Sequence, residues 1–306
     1  MKKFVIKILF LAIAFFVFDK LFYIVAYYSA KTEVDKRLEL LVNGEINKDI
    51  VIVGSSRGSR DIIAKQIEDK TGFSAYNVCY PGSNVLFHNF IVKTLYKFNE
   101  PPKYLILVVD DDEELTYCNK INFRKDRLYP LVKYPYIWKT LAKRDGKDML
   151  LSQLLILYRL NKYNFDLRKK RFTPRDTIME CGSMPVSWRR KRYDWSYDTK
   201  ERVYDKSKEE QDKVEAYKEM IQLVKSNNSK LIIVFPPQYK PFSSLFEERI
   251  KQLSGEGACF YKYNSENPVY KNKEYYFDDS HLVRKGAVIF TDEIVDLLKD
   301  KAIECN

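Results

Sequence analysis

Ser56, Asp278 and His281 are the residues of this chain whose types and spacing fit one chemistry. A serine hydroxyl is a poor nucleophile until a base takes its proton, and a histidine serving as that base needs an acid to fix its tautomer. Ser56 follows the apolar run Val51-Ile52-Val53 and a Gly54-Ser55 turn, and Asp278 stands three residues before His281, one of two histidines in the chain. With Asp278 on the ring's Nδ1 and Ser56 on its Nε2, the three would carry an acyl group through a serine ester. Asp279 is the alternative acid. Backbone amides at the start of the segment after Gly54 are available to a developing oxyanion.

Elements of the right kind surround these residues. Residues 49–54, 75–80, 104–109 and 230–235 are apolar without alternation, the pattern of strands buried on both faces of a parallel sheet. Between them, residues 60–70 and 86–98 carry apolar residues at helical spacing, and 206–225 has a Val214, Tyr217, Ile221, Val224 stripe ended by Asn227-Asn228-Ser229. A last helix is expected over 284–301, directly after His281. Strands alternating with helices on short links predict a doubly wound α/β sandwich. Residues 110–204 break the rhythm: rich in Tyr, Trp, Arg and Lys, with a helix expected at 148–160 and no clear strand, they read as an insertion serving as a lid or binding surface.

These blocks together resemble the SGNH/GDSL hydrolase superfamily, and more closely its membrane-anchored relatives with a Gly-Ser-Ser-Arg first block, akin to the alginate O-acetylation and D-alanyl transfer proteins. The resemblance covers roughly residues 48–109 and 229–300. It implies a three-layer, flavodoxin-like sandwich with Ser56 in the first block. Residues 77–82, Asn-Val-Cys-Tyr-Pro-Gly, match the second block, with Gly82 giving an oxyanion amide beside that of Ser56 and Asn77 on the substrate side. Asp278-Asp279-Ser280-His281 matches the terminal Asp-x-x-His block, which favours Asp278 over Asp279. The third block departs from the family: Val109-Asp110-Asp111-Asp112-Glu113-Glu114 stands where Gly-x-Asn-Asp is expected, leaving Asn84 as the substitute oxyanion donor. Losing one such donor would cost about 3–4 kcal/mol of transition-state stabilisation. The implied activity is esterase or O-acyltransferase chemistry on acyl esters, acetyl foremost, of a carbohydrate or cell-envelope polymer.

The N-terminus adds a membrane to the reading. Residues 4–28 make about 37 Å of apolar helix, enough to cross a hydrocarbon core of about 30 Å with tilt. Lysines before it favour a cytoplasmic N-terminus and an extracytoplasmic remainder. An anchor at 1–29 and a single domain at 30–306 are therefore expected, with a cleaved signal peptide disfavoured because Tyr28-Ser29-Ala30 is a poor small-x-small site. Asp19 and Lys20 are costly within a bilayer unless they neutralise each other or meet a membrane-protein partner.

The net charge of +11, concentrated at 168–171 and 189–192, suits anionic lipid, glycan or nucleic acid. Outward topology and the lack of a recognition motif exclude nucleic acid. Five scattered cysteines form no CxxC pair, so no zinc site is indicated, and no motif calls for a cofactor.

Blander readings accompany the sharp ones. Residues 54–58 also spell Gly-x-Ser-x-Gly, but too little chain precedes them for the several strands an α/β-hydrolase needs. His88, inside a helical stripe, reads as structural, the acidic run as a solvated loop end without metal, and Arg57 either as a contact for an acidic substrate or as a cap on the sheet edge. Residues 188–197 would stack on sugars or pack the insertion. The rival from another class is a non-catalytic envelope binding or scaffolding protein that keeps the fold.

Overall fold

A computed structural model describes residues 1–166, 177–187 and 196–300. The basic runs at 168–171 and 189–192, and residues 188–195 of the aromatic stretch, lie outside the described residues. The chain divides into two compact units, residues 1–39 with 124–171, and residues 40–123 with 172–306. The first unit extends past residue 29, and the middle of the 110–204 stretch belongs with the N-terminal helices.

The second unit is α/β, built on five parallel strands in the order β2-β1-β3-β4-β5. They are β1 (Ile50–Val53), β2 (Ala75–Asn77), β3 (Tyr104–Val108), β4 (Lys230–Phe235) and β5 (Ala258–Lys262). Every residue of β1 is buried, as are all but the first residues of β3 and β4, which accounts for their unbroken apolar sequences. In the register Val51 faces Tyr76 on one side and Leu105 on the other. The fifth strand escaped the sequence reading because Phe260, Tyr261 and Lys262 leave the buried class, so no continuous apolar run marks it.

The helix Val85–Phe98 opens on Asn84, whose side-chain oxygen accepts the N–H of Phe87 at 3.3 Å. It packs on Gln211–Ser226, where the expected Val214, Tyr217, Ile221, Val224 stripe is buried. The C-terminal helix Arg284–Lys299 packs on two short helices, Ser56–Asp61 and Ala64–Thr71, that replace the single one expected over 60–70. Residues Ile62 and Ile63 between them are extended because Ile63 N–H donates to Thr291 Oγ1 of the C-terminal helix rather than to a helical carbonyl.

The first unit is helical, with the apolar span Lys2–Thr32 broken only at Phe22. Among the described residues one helix is long and apolar enough to cross a membrane, and a signal sequence has the same character. Tyr23–Thr32 packs against the turn Tyr129–Leu131 and the helix Lys162–Phe165. Pro135–Asp145 forms a helix where none was expected, burying Ile137, Trp138, Leu141 and Ala142. Its signature was present, with Pro135 at the first turn and Gly146 taking the left-handed cap at φ +64°. The helix expected over 148–160 is shorter, Met149–Leu154, capped by Asp148 and followed by a 3-10 turn at Leu157–Arg159.

Candidate active site

Sheet order fixes where the site lies. The chain leaves β1 to add β2 on one side and returns to add β3 on the other, so a crevice opens beyond the carboxyl ends of β1 and β3. Gly54, Ser55 and Ser56 leave the end of β1 there, and Asp110 leaves the end of β3. Gly54 is required by proximity: a Cβ on it would lie 2.9 Å from Val108 Cβ. A cavity of about 340 Å³ occupies this place, with Ser56 and His281 in its wall together with Arg57, Gly82, Asp110 and Glu114.

Ser56, His281 and Asp278 meet in line. His281 Nε2 is 2.7 Å from Ser56 Oγ across 225 positions of sequence, and His281 Nδ1 is 2.7 Å from Asp278 Oδ1. The acid and base approach through a turn. Asp278 Oδ1 accepts the backbone N–H of Ser280 at 3.1 Å and of His281 at 2.9 Å, folding the loop so that the ring returns to its own acid. Phe277 N–H donates to His281 O at 2.7 Å, and Phe277 is buried with Val186 and Val283, which locks the turn. Burial would raise the Asp278 carboxyl, but hydrogen bonding and charge from His281, the Ser280 amide and Arg60 prevail and pull it down to about 2. An ionised Asp278 accepts from Nδ1–H, leaving the Nε2 lone pair for the Ser56 proton. Asp279 lines the cavity; its carbonyl accepts Tyr239 N–H at 2.9 Å and its Oδ1 accepts Ser280 Oγ–H at 3.4 Å.

Two of the three expected oxyanion groups lie at the cavity. Ser56 and Gly82 both line it, and neither amide donates to an acceptor among the described residues. Gly82 takes φ +74°, and its carbonyl accepts Asn122 N–H at 3.0 Å, which pins the loop. Asn84 does not line the cavity; it is 6% exposed and its oxygen caps the helix behind. Asn77 is likewise removed from the substrate side. It is fully buried, with Nδ2 donating to Gly58 O at 2.8 Å and Ile62 O at 3.1 Å, and Oδ1 accepting Cys79 N–H at 3.0 Å. The amide clamps the short helix that carries Ser56, because each of its polar atoms is spent on backbone.

The acidic run is not a solvated loop end. Asp110, Asp111, Glu113 and Glu114 line the cavity, and Asp112 and Glu114 are buried. Ser55 Oγ–H donates to Asp110 Oδ2. Arg57, 2% exposed, sits between the acids, with Nη2 3.3 Å from Asp111 Oδ2 and Nε 3.7 Å from Asp110 Oδ1. Burial opposes the guanidinium charge, but Asp110, Asp111, Asp61 and Glu114 together hold it firmly protonated. Burial raises the carboxyls of Asp61, Asp110 and Glu114, for Asp110 against the pull of Arg57 and Ser55. Asp61 was not singled out from the sequence, and it joins the two halves of the site: its Oδ1 accepts the N–H of Leu282, the residue after His281, at 3.0 Å. Strand position was the signal available for the acids, since they begin directly beyond the carboxyl end of a central strand.

His88 is structural in its surroundings, with Nε2 2.8 Å from Ser83 Oγ. Ser83 gives its own proton to Tyr80 O at 2.7 Å, so His88 Nε2–H is the donor. Glu114 stands 3.6 Å from His88 Nδ1; burial raises the acid and pushes the imidazole down to about 3, so His88 is neutral at pH 7. An unfolded histidine takes a proton near pH 6.5, which the native site refuses. Stability is therefore expected to fall as pH drops from about 6.5 towards 3, and His88→Gln to flatten that slope by about 1.4 kcal/mol per pH unit in urea titrations.

Searches for related proteins found no matching family model and no significant match among curated proteins.

Proposed function

We propose that this chain is a membrane-tethered SGNH-type serine esterase or O-acyltransferase, with a three-layer, flavodoxin-like sandwich facing outside the cytoplasm. Its substrates would be acyl esters, acetyl foremost, of a carbohydrate or cell-envelope polymer. The observation that carries the reading is the line Asp278, His281, Ser56, with 2.7 Å at each step, drawn from opposite ends of the domain into one cavity. In the reaction Ser56 Oγ bonds to the acyl carbon as its proton passes to His281 Nε2, and the carbonyl oxygen becomes an oxyanion beside the Ser56 and Gly82 amides. Collapse breaks the ester bond, and the departing alcohol takes the proton from His281. Water, or a sugar hydroxyl in transfer, then gives its proton to His281 and attacks acyl-Ser56, which restores the serine.

Lys120 and Lys240 line the cavity and form no ion pair among the described residues, which suits an anionic polymer. One observation favours the alternative, a non-catalytic binding protein: with Asn84 engaged as a cap, a third oxyanion donor is unassigned. Covalent labelling separates the two. A fluorophosphonate probe is expected to modify the full chain in detergent at Ser56, with labelling abolished by Ser56→Ala and strongly slowed by His281→Ala. Absence of labelling in folded wild type would favour the binding protein.

A further inference from the structure

The Met149–Phe165 segment carries polar anchoring and apolar exposure in a combination that a water-facing loop does not need. Asp19 is 1% exposed although Val17, Phe18 and Leu21 around it stand more than half exposed. Its carboxylate accepts the backbone N–H of Ile156 at 2.8 Å and of Leu157 at 2.9 Å, and pairs with Lys20 Nζ at 3.0 Å. Lys20 Nζ also donates to Leu154 O. The peptide groups of residues 154–157 are thus fastened to the apolar helix at one level along it. A polar residue within a spanning helix needs such partners, and here this chain supplies them.

We infer that residues 149–165 lie in the headgroup boundary of the bilayer, with their leucines inserted among the acyl chains. The inference rests on the membrane-tethered reading. A hydrocarbon core of about 30 Å that begins at Phe4 ends about twenty residues later, which puts Asp19 some 7 Å inside its far boundary. That is the depth of about 5–10 Å at which interfacial helices bury their apolar faces. Leu150, Leu154 and Leu157, at i, i+4 and i+7, are 65%, 51% and 42% exposed, and Phe165 is 55% exposed. These side chains continue the exposed apolar surface of the helix to which Asp19 fastens them. Lys143 and Arg144 precede the segment and Lys162 lies within it, all three exposed, which favours anionic headgroups.

The test uses the full chain reconstituted into vesicles of phosphatidylcholine and phosphatidylglycerol with brominated acyl chains. Leu150→Trp and Leu154→Trp each add a fluorophore at an exposed position, and Leu245→Trp, on the helix Ser244–Ser254, is the control. Fluorescence added at 150 or 154 is expected to be quenched at least about twice as strongly as that added at 245. Chains that float with the vesicles but show equal quenching at all three sites would overturn the interfacial placement and leave the tether standing; a protein partner would then be the cover for these leucines. Chains that fail to float with the vesicles would overturn tether and placement together.

Discussion

Ser56→Ala and His281→Ala are each expected to lower kcat for hydrolysis of p-nitrophenyl acetate by about 10⁴ to 10⁶. The double variant is expected to lose little more than either single one. The reason is geometric. His281 Nε2 reaches Ser56 Oγ at 2.7 Å, so the serine loses its proton acceptor when the ring goes, and the ring has no substrate-directed task when the serine goes. Asp278→Asn tests a different step. The asparagine oxygen that keeps the turn by accepting the Ser280 and His281 amides is the same atom that faces Nδ1, so the ring keeps its tautomer and loses the negative charge beside it. A lower kcat is expected because the neutral amide no longer stabilises the imidazolium that forms when His281 takes the Ser56 proton. Losses that multiply in the double variant, or a full rate in Asp278→Asn, would remove the basis for a relay. Full-length protein in detergent is the proper material, because truncation at residue 31 would strip Asp19 from the Ile156 and Leu157 amides.

The meeting of Ser56, His281 and Asp278 was legible in the sequence because they are unusual there: two histidines in the whole chain, one with an aspartate three residues before it, and a serine at the end of an apolar strand. Four strands were legible because burial on both faces leaves no alternation. Strand β5 was not, since its last three residues leave the buried class and its composition is mixed. Asn77 and Asn84 were misplaced for one physical reason. A buried amide serves the nearest orphaned backbone groups first, and both lie beside helix ends whose N–H and C=O groups need partners. The acids after β3 were misread because composition speaks for solvent whereas topology speaks for the site; the returning chain at the crevice carries them inward regardless of their charge.

Arg57→Met is expected to cost about 3–5 kcal/mol of stability at pH 7, because it leaves a buried cluster of carboxyls without its cation. Methionine keeps much of the side-chain volume, so the loss would report charge rather than a cavity. Arg57 is flanked by Asp110 and Asp111 and feels Asp61 and Glu114, and burial already raises the carboxyls of Asp61, Asp110 and Glu114. A carboxyl whose folded pKa lies above its unfolded value binds protons more readily when native, so its site gains stability as pH falls and loses it as pH rises. Without the guanidinium those carboxyls would rise further. The gap between variant and wild type is therefore expected to narrow as pH falls from 7 to 5, while the His88 contribution, common to both proteins, cancels in the difference. Urea unfolding at the two pH values measures this. A gap that is constant with pH would mean that Arg57 acts through packing alone; a gap that closes would identify Arg57 as the counter-ion that lets an acidic cavity floor exist beside Ser56.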